Sequence, residues 1–230
     1  MMRVIAKKYL VQFWLLHRDA EQPLRAWYDE VVSTKWSSPQ EIKNQYRNAS
    51  FISNNRVVFN IKGNDYRLIV AVAYRLGVFY IKFIGTHTEY DNVNAKTVEM
   101  GGYMKALKPI RNDNEYEAAL AEASYFIDHE PAPKSKKADR FEVLLMLIES
   151  YEAKHYPIDL PDPIEAIKFR MDQAGLRPKD LQPMIGGLNR VYEILNRKRP
   201  LTLKMIWKLH SMLGIPAESL IQQSDELHIA

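Results

Sequence analysis

The residues of this chain that could do chemistry without a cofactor lie close together in its first half. Arg56, Lys62, Arg67 and Lys82 fall on or beside β-branched and aromatic runs, and His87 and Tyr90 follow the last of those runs directly. Cutting RNA without a metal ion needs three things: a base for the 2′-hydroxyl proton, cations for the charge on the phosphorane, and an acid for the departing 5′-oxygen. Histidine, tyrosine, arginine and lysine can supply all of them. The same residues also read as a solvated basic face on a small sheet, because exposed Arg and Lys are common. His87 alone reads as an ordinary surface residue. The chain has no cysteine, which excludes disulfides and thiolate metal sites, and His129 and His155 lack metal-ligand spacing to nearby acids. Neither a metal nor another cofactor is expected.

These residues need elements to position them. Tyr9, Phe13 and Leu16 recur at helical spacing, as do Leu24, Trp27, Tyr28 and Val31 behind Pro23, and Pro39 opens a further turn carrying Ile42 and Tyr46. Three strand-like runs follow over 57–61, 66–74 and 78–84, separated by Lys62-Gly63-Asn64-Asp65 and Arg75-Leu76-Gly77. Connectors this short predict an antiparallel meander, with the helices packed on one face. After residue 104 the pattern is helical to the end.

The charge divides at the same place. Residues 1–100 hold 14 basic and 9 acidic side chains, and the remainder holds 18 and 19. At 230 residues, with 47% hydrophobic and 26% charged composition, the chain reads as two globular units, without disorder. A sequence pI near 9.0 makes a polyanion partner plausible. The early apolar run at 10–16 is too short to span a bilayer and has no cleavage-site pattern, so a cytoplasmic protein is expected. Glu99-Met100-Gly101-Gly102-Tyr103-Met104 marks the junction. It reads either as two cistrons joined in frame or as an ordinary flexible linker.

The first unit contains Asn60-Ile61-Lys62-Gly63-Asn64-Asp65-Tyr66-Arg67-Leu68 and Gly85-Thr86-His87-Thr88-Glu89-Tyr90-Asp91. With these motifs it resembles the HigB-type toxins of the RelE-like superfamily of bacterial mRNA interferases. The resemblance implies an α+β RelE-like domain over 1–100 and a ribosome-dependent endoribonuclease that works without metal. It assigns Arg67 to phosphate stabilisation and His87 and Tyr90 to acid–base work. Arg56, Lys62 and Lys82 would bind RNA along the cleft, and Asp91 would orient His87 or cap a terminal helix.

In the second unit Tyr116, Leu120, Ala123 and Ile127 predict a helix capped by Asp113, and Phe141, Leu144, Leu145, Ile148 and Tyr151 predict another beyond a breaker-rich loop at 130–137. Asp162 and Pro163 open a helix carrying Ile164, Ile167 and Met171, and Gly175 ends it. Residues 176–196 then read as a helix-turn-helix with Gly186-Gly187 at the turn and Val191, Ile194 and Leu195 buried. Leu188, Asn189, Arg190, Tyr192 and Glu193 would face a DNA groove, and Arg197 and Lys198 its backbone. A five-helix protein-binding module without DNA binding fits the same pattern.

The Asp162-Pro163-Ile164-Glu165-Ala166-Ile167 entry and the Arg199-Pro200-Leu201-Thr202 turn resemble HigA-type antitoxins of the Xre/Cro-like family. That resemblance implies a toxin-docking region over 104–160 and an all-α DNA-binding domain over 161–230, with 101–103 as junction. It also implies homodimers, operator DNA as partner, and repression of the protein's own operon. Toxin and antitoxin of this type are encoded side by side in this order. The whole chain therefore reads as a toxin–antitoxin fusion whose mRNA-cleaving half is held inactive. The alternative is a transcriptional repressor whose first unit is a catalytically dead interaction module.

Overall fold

The computed structural model describes residues 1–52, 55–93 and 107–222. The junction expected at 99–104 lies outside them. From the N-terminus, β1 (Arg3–Ile5) leads to α1 (Lys8–Leu16), α2 (Glu21–Ser33) and α3 (Pro39–Gln45). Then come β2 (Ser50–Ile52), β3 (Arg56–Ile61), β4 (Tyr66–Ala73), β5 (Val78–Thr86) and the short α4 (His87–Asp91). The meander from β2 to β5 is antiparallel, as the short connectors require. Two strands went unread in the sequence because three residues are too few to show alternation. One of them, β1, pairs parallel with β5, so the sheet is mixed, in the order β1-β5-β4-β3-β2.

Helices α1 to α3 cover one face. Trp27 and Tyr46 meet Phe59 edge-on, and Trp36 leans on Phe79. The other face is not left to solvent. Helices α5 (Asp113–Asp128) and α6 (Lys136–His155) lie over it, and Tyr80 Oη donates to the Leu120 carbonyl at 2.8 Å. With both faces covered, β4 is buried along its whole length and reads as a continuous apolar run instead of an alternating one. Tyr116, Leu120, Ala123, Ile127, Phe141, Leu144, Leu145 and Ile148 join the sheet residues in one core.

Two local expectations are corrected. Leu16 is exposed, because the buried side of α1 is the one that carries Leu10, Phe13 and Trp14. Asn112, not Asp113, caps α5, its side chain accepting from Glu115 N, while Asp113 accepts a hydrogen bond from Tyr151.

A second core holds the remaining helices: α7 (Pro163–Ala174), α8 (Gln182–Ile185), α9 (Leu188–Leu195), α10 (Leu203–Leu213) and α11 (Ala217–Leu220). Asp162 caps α7 through the amides of Ile164 and Glu165, and Gly175 closes it at φ +65°. The helix expected before the Gly186-Gly187 turn is split into a 3-10 turn over Pro178–Leu181 and the single turn of α8. Pro183 explains the break, since it has no amide to donate inside a helix but fits a first turn. The helical body is tied to the first unit: Arg170 donates to Glu30 at 2.9 Å in a buried pair and to the Gln45 carbonyl. Ser219 donates to Asp29.

Candidate active site

The Gly85–Asp91 motif is built around a helix start. Thr86 caps α4, accepting from Glu89 N at 3.3 Å, and the Glu89 carboxylate reaches back to Thr86 N at 2.7 Å and Thr86 Oγ1 at 2.9 Å. This reciprocal Thr-x-x-Glu box explains two residues of the motif in structural terms. Gly85 is explained by crowding, because a Cβ there would stand 2.4 Å from the Phe83 ring. The box leaves His87 and Tyr90 three residues apart on one short helix, hence neighbours on its surface.

Tyr90 turns inward. It packs against Val58 and Ile69, and the Arg67 guanidinium lies 6.0 Å from its ring centroid. Arg67 is only 8% exposed. It donates to the carbonyls of Asn64 at 3.2 Å and Tyr66 at 3.3 Å, and to the Asn64 side chain. His87 points outward, half-exposed, with Nε2 3.9 Å from Asp91, beyond hydrogen-bond reach. Asp91 therefore neither orients His87 by a hydrogen bond nor caps the helix, whose C-cap is Asn92.

The three residues assigned to RNA binding part company. Arg56, Val58 and Asn60 alternate onto the same face as Arg67, since Asn60 stands opposite Arg67. Arg56 and Lys82 are buried there under α5, not open along a cleft, and both bind Asp128. Lys62 lies on the other side of the hairpin, bonded to Asp19 and Asp65 and 6.0 Å from the Tyr66 ring centroid. Tyr66 in turn packs against Phe13 and His17 of the α1 side. The structure thus joins Arg67 with Tyr90, places His87 at the same end, and separates Lys62 from them.

Sequence reading missed Asp128, which lies four and eight residues beyond Ser124 and Leu120 and so shares their sheet-facing side. It also missed Glu152. This α6 carboxylate is buried and accepts from the amides of Ala6 and Lys7 and from Tyr116 Oη. Burial pushes its pKa up to about 7, against those hydrogen bonds and the Lys7 charge. Among the described residues no group of three or more His, Cys, Asp or Glu could hold a metal ion.

On the helical body, Leu188, Asn189, Arg190 and Tyr192 line the exposed side of α9, with Glu193 beside them. Glu193 is paired with Arg199 at 2.7 Å, and Lys198 is exposed. Arg197 is a correction. Its guanidinium binds Asp162 at 2.7 Å and Glu165 at 3.0 Å, so it clamps the loop after α9 to the start of α7 instead of facing a phosphate.

Residues 20–93 match the family model HigB_toxin, described as the RelE-like toxic component of a toxin–antitoxin system. This segment is similar to the HigB-like toxins. Its match takes in α2 to β5 and ends two residues past α4, so Arg67, His87 and Tyr90 all fall inside it. RelE-like toxins imply ribonuclease activity in general terms. Helices α5 to α11 lie beyond the matched toxin domain, and no curated protein matches the chain.

Proposed function

We propose that the chain is a type II toxin–antitoxin fusion: a ribosome-dependent mRNA endoribonuclease restrained by its own C-terminal half, which also binds operator DNA and represses transcription. The observation that carries this reading is the cover that α5 and α6 place on the toxin domain. They share its core and lie on the sheet face that bears Arg56, Lys82 and Arg67. In the cleavage step, the 2′-oxygen loses its proton to a base and attacks the adjacent phosphorus. The P–O5′ bond breaks, and the departing 5′-oxygen takes a proton, leaving a 2′,3′-cyclic phosphate. Arg67 would stabilise the phosphorane, and His87 and Tyr90 would divide the acid and base roles. No metal is needed for that division of labour. The polar exposed side of α9, following a Gly-Gly turn and a short helix, supports DNA reading by a helix-turn-helix, as a dimer on a palindromic site.

The test is to split the chain. Residues 1–100 and 101–230 are expressed as two polypeptides from separate promoters, and the second is then shut off. Growth arrest with cleavage of translated mRNA is expected, and both are lost with Arg67→Ala. Continued growth with intact mRNA, while 1–100 remains folded and soluble, would sink the toxin reading.

A second reading has one observation in its favour. Arg67, Arg56 and Lys82 are all engaged within the protein, which suits a toxin domain that serves only as an interaction module for a repressor. The split experiment separates the two.

A further inference from the structure

Asp128 is the last residue of α5, and its carboxylate sits between two cations of the toxin domain. Arg56 grips it with both terminal nitrogens, at 2.6 Å and 3.0 Å, and Lys82 Nζ donates to it at 2.8 Å. Ser124, one turn earlier, accepts from the same ammonium at 2.5 Å. The two cations hold the Asp128 carboxyl below the usual carboxylate range although burial works the other way. A planar fork and an ammonium converging on one oxyanion is the arrangement that phosphate groups select. As a purely structural device it would be a poor choice, because a buried ion pair adds little over well-packed apolar residues of the same size.

Position supports the same conclusion. Arg56 stands opposite Ala71 on β4, and Arg67 lies four residues further along that strand on the same face. That is about 13 Å at the usual strand rise. A single RNA strand laid on this face would reach both, with Arg67 at the attacked phosphate and Arg56 and Lys82 at a flanking one.

We propose that Asp128 occupies, within the same chain, the subsite for a flanking phosphate of the RNA backbone, so that α5 and RNA compete for Arg56 and Lys82. The inference rests on the toxin–antitoxin reading above and names how that restraint works. It also gives the competition a physical signature: the carboxylate already neutralises both cations in the free chain, so removing its charge should steepen the salt dependence of RNA binding.

The experiment uses the full-length chain and a short single-stranded RNA bearing 2′-O-methyl groups, which cannot be cut by 2′-oxygen attack. Affinity is read by fluorescence anisotropy for the wild type, Asp128→Asn and Glu117→Gln. Glu117 is the control, because it ties the same helix to Lys8 and Tyr9 without touching either cation. Asp128→Asn should bind at least tenfold tighter than the wild type, with a steeper salt slope, and Glu117→Gln should stay within about twofold. A folded Asp128→Asn that binds no tighter would overturn the subsite, and so would equal tightening by Glu117→Gln.

Should Asp128→Asn not fold, hydrogen exchange on the wild type decides. Added RNA should speed exchange of the α5 amides and leave α7 unchanged, and an unmoved α5 counts against the proposal. The split-chain experiment judges the toxin reading independently. Arrest there, with no effect of Asp128→Asn on binding, would remove only the subsite. Tighter binding without arrest would support the subsite and remove the ribonuclease.

Discussion

Tyr90 carries the sharpest residue-scale test. Its ring packs against Val58 and Ile69 and lies 6.0 Å from the Arg67 guanidinium, so Tyr90→Phe keeps that packing and removes only the phenol. If the phenol moves a proton in the cleavage step, the liberated toxin half should lose on the order of 10² to 10⁴ in rate. The melting temperature should not change. Equal rates for the two forms would remove Tyr90 from the chemistry. Glu152 makes a different prediction at this scale. Its folded-state pKa of about 7 lies above the value of an unfolded glutamate, so the native state holds its proton more tightly. The stability it contributes is greatest below the unfolded pKa and is lost as pH rises through 7. Thermal melts of the full chain should therefore show a fall in stability between pH 5 and pH 8 that Glu152→Gln flattens. The glutamine keeps an oxygen for the Ala6 and Lys7 amides, so the fold should survive.

At the scale of elements, α4 depends on its box. Removing the cap with Thr86→Ala should cost roughly 1 kcal/mol of local stability. Cleavage should fall by more than global stability implies, because His87 and Tyr90 sit on that one short helix and lose their common frame. Rate and melting temperature measured on the same variant separate the two effects. The loop after α9 gives a paired prediction for DNA. On the proposed DNA-binding reading, Lys198→Ala should weaken operator binding at all sequences and reduce the salt slope by about 1, as the loss of a phosphate contact does. Arg197→Ala should leave the slope nearly unchanged and lower the melting temperature, because Arg197 is tied to Asp162 and Glu165. The opposite pattern would return Arg197 to the DNA backbone.

At the scale of the molecule, the toxin-like segment and the helices beyond it do not form separate bodies. One core runs from β1 to Phe169, and the buried Arg170–Glu30 pair fastens the second core to α2. Burial raises the Glu30 carboxyl above the usual carboxylate range although Arg170 and Tyr46 oppose it, so removing the arginine leaves a costly group behind. Arg170→Ala is expected to cost about 3 to 5 kcal/mol. Calorimetry should show one transition for the wild type and a second, earlier one for the variant as α7 to α11 loosen. A single transition in both would mean that the remaining contacts suffice. No helix among the described residues is long and apolar enough to cross a membrane.

Much of this architecture was local enough to be legible in the chain itself. The three longer strands, the apolar stripes of α2, α5, α6 and α7, the Asp162-Pro163 start and the Gly175 stop depend on neighbours within a few residues, and periodicity records them. The motif over 85–91 was read only through its resemblance to a family, and the Thr86–Glu89 box within it went unread although its Thr-x-x-Glu spacing is local. What the tertiary structure alone decided was which charges meet. Arg56 and Lys82 read as open cations because nothing near them in sequence is acidic, and Asp128 reaches them only when α5 folds over the sheet. Arg197 read as a phosphate ligand until the start of α7 supplied two carboxylates. Burial and pairing across long loops follow from how faces stack, and a stretch of sequence carries no record of the face it will meet.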